Sequence, residues 1–302
     1  MRSLTPIRRT LIAILGVPLL FTLAAAPALA DNPSGGNKAD DPSYVEPGSE
    51  AFLAAKLAVA QANEEYAATG IWNGDSGQGG ISPDMICATC GGGGGSPPSS
   101  KTLDVRARRQ ENDHYCGPAS GQEIINWSRD YFYDNLGGEN TTTNYRTQQQ
   151  IAGYMGTTDG GTNGGPIARA LNGTGLNDET PADAVKKPSP DWEGYAYQAP
   201  ADGAEFHSWI VTDIADWSMP LTPDVIAHKV GETYYYLPSW PNEQAGSLHW
   251  IVIRGYDGFW DGTDTPQVYY VDSSGQTGPG RYHTGAQIMW KVTKFLKGKV
   301  VW

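Results

Sequence analysis

The sequence predicts an α+β fold in which helices come first and an antiparallel sheet follows. Apolar residues recur at helical spacing after Cys116 and again over residues 147–154. The stretches 248–256 and 268–272 instead alternate apolar and polar residues, as half-buried strands do. A polar, turn-rich linker separates these two stretches, which favours neighbouring antiparallel strands. Segregation of helices and strands along a chain is typical of the α+β class.

The composition indicates a globular protein with a sizeable core. The chain has 302 residues, of which 39% are hydrophobic, including 10 Trp and 16 Tyr. A chain of this length and apolar content can bury a core for one large domain or two modest ones. The formal net charge of -12 argues against nucleic acid or an anionic membrane surface as the partner. It fits a protein that stays soluble outside the cell.

Residues 1–30 have the pattern of a secretory signal peptide. Three arginines near the start are followed by an uncharged stretch that ends in Ala28-Leu29-Ala30. Cleavage is expected after Ala30, so the mature chain is expected to be secreted. An uncleaved membrane anchor is the alternative, and Pro18 and Pro27 disfavour it.

Residues 31–103 are predicted to precede the main domain as a flexible arm, one helix and a linker. Polar residues, Pro and Gly dominate the arm, which therefore buries too little apolar surface to become ordered. Ser49 is placed to cap a helix over residues 50–67, and the glycine run 91–95 with the Pro and Ser that follow indicates a linker. The helix has an apolar face, so we expect it to dock on the domain at 104–302, either as a propeptide or as a structural addition.

The chain holds three cysteines, an odd number for an exported protein. Cys87 and Cys90 form a Cys-Ala-Thr-Cys pair that is spaced to close a small disulfide, which leaves Cys116 as a free thiol. A structural zinc site needs four ligands, and no second Cys or His pair at metal spacing accompanies the first. Thioredoxin-like chemistry needs a helix after the pair, whereas glycine-rich sequence follows it. No metal or organic cofactor is therefore expected.

Cys116 has the sequence context of a nucleophile. Gly117 and Pro118 are tolerated in the first turn of a helix, which places the thiol at the helix N-terminus. The partial positive charge and free N–H groups at that point favour the thiolate over the thiol. The side-chain amide of Gln110, six residues upstream, could reach the same point and donate to an oxyanion together with the Cys116 N–H. The alternative role for a free cysteine is that of a small buried hydrophobe.

Three short blocks of sequence carry a family resemblance. They are Gln110-Glu-Asn-Asp-His-Tyr-Cys116-Gly-Pro-Ala, Leu248-His249-Trp-Ile-Val-Ile-Arg-Gly-Tyr256 and Val268-Tyr-Tyr-Val-Asp272-Ser. Over about residues 104–302 the chain resembles papain-like cysteine peptidases, in the branch similar to bacteriocin-processing double-glycine peptidases. The resemblance implies a papain-like fold, with N-terminal helices packed on an antiparallel sheet.

The resemblance also implies the roles of four residues. In that family the cysteine attacks and the histidine is its base, and these roles fall on Cys116 and His249. The acid that orients the histidine corresponds to Asp272, and the glutamine of the oxyanion hole corresponds to Gln110. His114 is the chief rival as base, although a base on the nucleophile's own segment is harder to aim across a cleft.

Three further aspartates compete with Asp272 for the role of the acid, because they are close to it in sequence: Asp257, Asp261 and Asp264.

The expected function is hydrolysis of peptide bonds by a secreted cysteine peptidase. Its expected partner is a peptide or protein substrate, with no nucleic acid, and with no membrane after removal of the signal peptide. The same triad also fits a cell-wall peptidoglycan amidase or endopeptidase, or an acyl transferase. A non-catalytic binding module is another alternative, and the presence of all four site residues argues against it. Nothing in the chain resembles the transporter to which double-glycine peptidases are attached, so a bacteriocin leader is not implied as substrate.

Overall fold

The computed structural model describes seven stretches of the chain. These are residues 50–71, 96–136, 147–172, 194–240, 248–274, 278–294 and 299–302. The predicted signal peptide, the arm before residue 49, the pair Cys87 and Cys90, and the glycine run 91–95 lie outside the described residues. These expectations therefore stay predictions.

The described stretches contain six α-helices. Their bounds are α1 Glu50–Thr69, α2 Cys116–Leu136, α3 Gln148–Tyr154, α4 Gly164–Asn172, α5 Gly203–Val211 and α6 Ala286–Lys294. A π-helical turn, Thr212–Asp216, continues directly from α5. At the start of α3 the Thr147 side chain accepts the Gln150 N–H, and the Gln150 side chain accepts the Thr147 N–H. This reciprocal cap explains why the helix begins where its sequence pattern does.

The strands of the described stretches form three sheets. Their bounds are β1 Ser100–Thr102, β2 Tyr197–Gln198, β3 Thr222–Ile226, β4 His228–Val230, β5 Thr233–Tyr235, β6 Leu248–Trp250, β7 Val252–Asp257, β8 Gln267–Asp272, β9 Gly280–Gly285 and β10 Val300–Val301. The first sheet has the order β1-β7-β8-β9, the second has the order β2-β10-β3-β6, and among the described strands β4 pairs only with β5. All of these pairings are antiparallel. The mixture of helices and antiparallel sheet confirms the predicted α+β class.

One continuous stretch of backbone joins the two larger sheets. β6 pairs with β3 in the second sheet, β7 pairs with β8 in the first, and Ile251 alone separates them. The carbonyl of Ile251 accepts the Thr222 hydroxyl at 2.6 Å, and just beyond it Leu221 and Ile253 exchange both backbone hydrogen bonds. The sequence predicted one strand over 248–256. The structure divides it, and His249 and Asp272 consequently belong to different sheets.

The helix predicted over 50–67 extends to residue 69 and docks through a buried lysine. Lys56 is 1% exposed, and its ammonium lies 2.6 Å from Asp213 Oδ1 on the π-helical turn. The same ammonium donates to the Gly194 carbonyl at 3.1 Å and lies 4.5 Å from the centroid of the Trp302 ring. α1 is therefore part of the packed structure, and its removal as a propeptide stays a prediction.

The first sheet extends beyond the predicted start of the domain at residue 104. β1 lies before that residue and pairs with β7, with Ser100 opposite Asp257. At the other end of the chain, Thr284 has capping-box spacing to Gln287 but lies in β9. The N-terminus of α6 is instead capped by Asp264, whose Oδ1 accepts the Ile288 N–H at 2.8 Å. A side chain from a distant loop thus sets where this helix begins.

Candidate active site

Cys116 is the first residue of α2 and is 8% exposed. The Tyr115 carbonyl accepts the Ala119 N–H at 2.8 Å and closes the first turn, in which Pro118 needs no N–H partner. Gly117 permits a close approach, because a Cβ there would lie 2.7 Å from Thr162 Cβ. The sulfur therefore lies at the positive end of a 21-residue helix.

His249 approaches the thiol from the second sheet. It is the central residue of β6 and lies opposite Val225 of β3. The next residue, Trp250, donates its indole N–H to the Thr162 carbonyl at 2.9 Å. Thr162 thus contacts the strand that carries the histidine and also lies against Gly117 at the start of α2. The loop that contains Thr162 therefore contacts both α2, which carries the sulfur, and β6, which carries the imidazole.

Asp272 ends β8 and is fully buried. Its Oδ1 accepts the His249 Nε2 proton at 2.8 Å and the Ser274 N–H at 2.7 Å, while its Oδ2 accepts the Ser239 hydroxyl at 2.5 Å. Because Nε2 is engaged by the carboxylate, Nδ1 is the ring nitrogen left for the hydrogen bond to Cys116. The structure therefore brings together three of the four residues singled out in the sequence.

The charges of these three residues support one another. Burial opposes ionisation of the Cys116 thiol, yet its hydrogen bond to His249, the charge of that ring and two backbone N–H groups together lower the thiol pKa. Burial also opposes protonation of His249, but Asp272 and Cys116 outweigh it and raise the pKa of the imidazole. Burial acts against the Asp272 carboxylate too, and its hydrogen bonds and the His249 charge still lower its pKa. All three pKa shifts act in the direction of a thiolate, an imidazolium and a carboxylate.

Gln110 lies close to these three residues, but its side-chain amide donates hydrogen bonds within its own loop. Its backbone N–H donates to the Ser273 carbonyl at 2.9 Å, next to Asp272. The side-chain Nε2 donates to the carbonyls of Asn112 at 3.2 Å and Asp113 at 3.4 Å. Its Oε1 is buried and has no hydrogen-bond partner among the described residues. The predicted role as an oxyanion donor therefore stays a prediction that requires this side chain to turn.

Two buried side chains hold the backbone around Gln110. Glu123, two turns along α2 from Cys116, accepts the Arg108 N–H at 2.7 Å. Gln148 of α3 accepts the Glu111 N–H at 2.8 Å and donates to the Arg109 carbonyl at 2.8 Å. Burial raises the pKa of the Glu123 carboxyl to about 8. Sequence reasoning missed both residues, because their role depends on how α2 and α3 pack against this segment.

The rival residues have partners of their own. His114 Nε2 lies 3.7 Å from Asp159 Oδ1 at the surface. Asp261 accepts hydrogen bonds within its own turn, Asp264 caps α6, and Asp257 is exposed at the end of β7. The ring that hydrogen-bonds the thiol is that of His249.

Sequence reasoning also missed the turn at residues 237–240. Ser239 in this turn contacts Asp272, and the Trp240 ring lies edge-on to the His249 ring, with centroids 6.3 Å apart and planes at 72°. No motif marks this turn. The one signal available was the alternation in β8, which puts Tyr270 on the same face as Asp272.

Neither a metal site nor a membrane span emerges from the described stretches. They contain no group of three or more His, Cys, Asp or Glu residues arranged to hold a metal ion. Within the same stretches, no helix combines the length and the apolar character that crossing a bilayer requires.

No protein-family model matches the chain, and no curated protein matches it. Among solved structures, it is similar to the recombinant stem bromelain precursor, with 13% identity and a TM-score of 0.41 over 68% of this chain and 70% of that one. It is also similar to the bromelain protease from Ananas comosus in complex with the E64 inhibitor, with 13% identity and a TM-score of 0.37 over 68% of this chain and 98% of that one. A third neighbour is Amb a 11, a ragweed pollen cysteine protease in its proform, with 11% identity and a TM-score of 0.39 over 83% of this chain and 75% of that one.

These structural neighbours are papain-like cysteine proteases. Likeness at this level carries no assignment of activity, and the double-glycine branch of the sequence resemblance stays a prediction.

Proposed function

We propose that this chain is a cysteine peptidase that hydrolyses peptide bonds. Cys116 is the nucleophile, His249 is the base and general acid, and Asp272 orients the imidazole and stabilises its charge. The observation that supports this proposal is the buried chain of hydrogen bonds from the thiol through the imidazole to the carboxylate. A base beside the nucleophile, itself oriented by a third group, is the arrangement that activates a cysteine for nucleophilic catalysis.

The reaction proceeds through an acyl-enzyme. The Cys116 sulfur attacks the peptide carbonyl carbon, and the carbonyl electrons move onto oxygen. When the C–N bond breaks, His249 gives its proton to the leaving amine, and a thioester remains. Water then attacks the thioester and gives a proton to His249, and cleavage of the C–S bond releases the acid and restores the thiolate. Apart from the attacking water, the proposal assigns each of these bond and proton transfers to Cys116 or His249.

The oxyanion needs donors during both attacks. The N–H groups of Cys116 and Gly117 precede the first intrahelical hydrogen bond of α2, which the Ala119 N–H makes, and the Cys116 N–H is the one closest to the sulfur along the chain. We assign the second donor to Gln110. This assignment requires its Nε2 to exchange the carbonyls of Asn112 and Asp113 for the substrate oxygen. The proposal also includes secretion, which the signal-like pattern of residues 1–30 supports.

The proposal is tested with a chain in which Cys116 is the one remaining thiol. The chain has 3 cysteines, so the double variant Cys87→Ser, Cys90→Ser serves as the parent. The parent is expected to hydrolyse members of a diverse peptide library, and adding Cys116→Ala is expected to abolish hydrolysis. Iodoacetamide is expected to alkylate Cys116 in the parent and to stop the reaction.

Three substrates separate the alternatives in the same assay. Release of soluble peptides from purified cell walls, with the peptide library left intact, would identify a peptidoglycan hydrolase instead. Transfer of an acyl group to an added amine, in place of water, would identify an acyl transferase. No turnover of any of these by a folded parent protein would contradict the enzyme assignment.

A further inference from the structure

A buried chain of hydrogen bonds continues beyond Asp272. Ser239 and Tyr270 are both fully buried. The Ser239 hydroxyl donates to Asp272 Oδ2 at 2.5 Å, and the Tyr270 hydroxyl donates to Ser239 Oγ at 3.1 Å. The Ser239 N–H donates back to the Tyr270 oxygen at 3.2 Å. The serine proton therefore has one acceptor direction left to it, toward the carboxylate.

The fold builds this arrangement from two segments. Tyr270 and Asp272 are two residues apart on β8, so their side chains project from the same face. Ser239 comes from the turn 237–240, which a backbone hydrogen bond of 3.0 Å closes. The ring of the tryptophan that follows Ser239 makes a T-shaped contact with the His249 ring. One turn thus contacts both the acid and the base of the candidate triad.

Both oxygens of the carboxylate accept hydrogen bonds from described residues. Oδ1 is shared between His249 and the Ser274 N–H, and the Ser239 hydroxyl is the donor to Oδ2. A buried anionic oxygen that loses its donor is strongly disfavoured. Without the hydroxyl, Asp272 would take up a proton more readily or rotate toward another donor. Either response weakens the charge that Oδ1 presents to the imidazole.

We propose that Ser239, oriented by Tyr270, is a positioning residue that keeps Asp272 charged and aimed at His249. The proposal rests on the function proposed above, because it assigns Ser239 a role in forming the reactive ion pair. Ser239 acts through Asp272 and is not itself a catalytic residue. Three other ionisable groups interact electrostatically with this site: Glu123 on α2, Asp224 on β3 and Tyr282 on β9. The variants tested below leave all three unchanged.

The test compares Ser239→Ala and Tyr270→Phe with Ser128→Ala. Ser128 is an equally buried serine on α2 whose hydroxyl has no partner among the described residues, so its removal controls for loss of a buried hydroxyl. A hydrogen bond to a charged group is worth about 10- to 100-fold in rate, so kcat of Ser239→Ala is expected to fall by that factor with KM changed by less than about threefold. Tyr270→Phe is expected to lose less, and Ser128→Ala is expected to match the parent.

A second readout does not depend on turnover. The rate at which iodoacetamide alkylates Cys116 is measured as a function of pH in the chain that lacks Cys87 and Cys90. Protonation of Asp272 withdraws support from the imidazolium, so the thiolate forms at higher pH when the Ser239 hydroxyl is absent. The acid limb of the alkylation profile is therefore expected to move to higher pH in Ser239→Ala, and to stay in place in Ser128→Ala.

The outcomes separate this inference from the proposed function. A parent that hydrolyses nothing while Ser239→Ala still shifts the alkylation profile would defeat the peptidase assignment and keep the positioning role. An active parent whose kcat and alkylation profile are unchanged in both Ser239→Ala and Tyr270→Phe would overturn the positioning role. A loss in Ser239→Ala that Ser128→Ala reproduces would overturn it too, because any buried hydroxyl would then have the same effect.

Discussion

Replacing Glu123 by Gln is expected to make the folded chain less sensitive to alkaline pH. Glu123 is fully buried, one oxygen accepts the Arg108 N–H at 2.7 Å, and the other has no partner among the described residues. Burial is the main cause that raises the pKa of this carboxyl from 4.5 to about 8, and the nearby charge of Asp272 adds to it. Glu123 is therefore protonated in the folded chain at neutral pH and ionised in the unfolded chain.

The sign and size of the effect follow from proton linkage. Between pH 4.5 and about 8 the folded chain binds more protons at this site than the unfolded chain does, so the free energy of unfolding falls as pH rises. A shift of this size corresponds to a loss of about 5 kcal/mol across that window, at 1.36 kcal/mol per pKa unit. Gln keeps the acceptor for Arg108 and has no proton to lose. Its cost at low pH is about 1 kcal/mol, because an amide replaces a carboxyl with an unpaired atom.

The assay is urea unfolding at a series of pH values from 4.5 to 8, with both chains carrying Cys116→Ala to prevent self-digestion. The Glu123→Gln chain is expected to be slightly less stable at the acid end and more stable by about 4 kcal/mol at pH 8. Glu232→Gln, which alters an exposed carboxylate, is the control and is expected to run parallel to the parent. A Glu123→Gln curve that also runs parallel to the parent would refute the reasoning.

Two further replacements test the packing. Lys56→Met is expected to lower the free energy of unfolding by about 3 kcal/mol, because it leaves Asp213 buried without its cation. Lys229→Met breaks an exposed ion pair and is expected to lower it by less than about 1 kcal/mol. Urea unfolding measures both variants. Gly255→Ala would place a Cβ 2.7 Å from the backbone oxygen of β1 and is expected to lower the free energy of unfolding by about 1 to 3 kcal/mol. Gly153→Ala on α3, where a Cβ meets nothing, is its control and is expected to be neutral or slightly stabilising by thermal unfolding.

Equal costs for the two lysine variants would mean that α1 is not docked as described. Equal stability of the two alanine variants would mean that β1 does not lie against β7 at Gly255.

The sequence predicted the elements whose signals are local. The apolar spacing over 147–154 and the alternation over 268–272 each involve neighbours within a few residues, and helix α3 and strand β8 form where they were expected. The start of α6 could not be predicted in this way, because the group that caps it, Asp264, comes from a loop that precedes two strands. The break at Ile251 likewise involves a distant partner, because the Ile251 carbonyl accepts the hydroxyl of Thr222 on another strand.

The same distinction holds for the candidate site. Cys116, His249 and Asp272 each lie in a short block whose composition and order resemble a family of peptidases, so each could be singled out from its immediate neighbours. Ser239 stands in no such block. Its proposed role depends on the turn 237–240 folding against β8, and no local sequence pattern in the turn or in the strand indicates this contact.

The placement of His249 and Asp272 on different sheets has a consequence for how the protein loses its reactivity. The 2.8 Å contact between them depends on the relative position of β6 and β8, and a shift of about 1 Å would take it beyond hydrogen-bonding range. Warming or mild denaturant that increases this separation would lower the reactivity of the Cys116 thiol while the helices still give their full circular-dichroism signal. Loss of activity would then precede global unfolding, and the reactivity of the Cys116 thiol would report an early loss of packing in the interior.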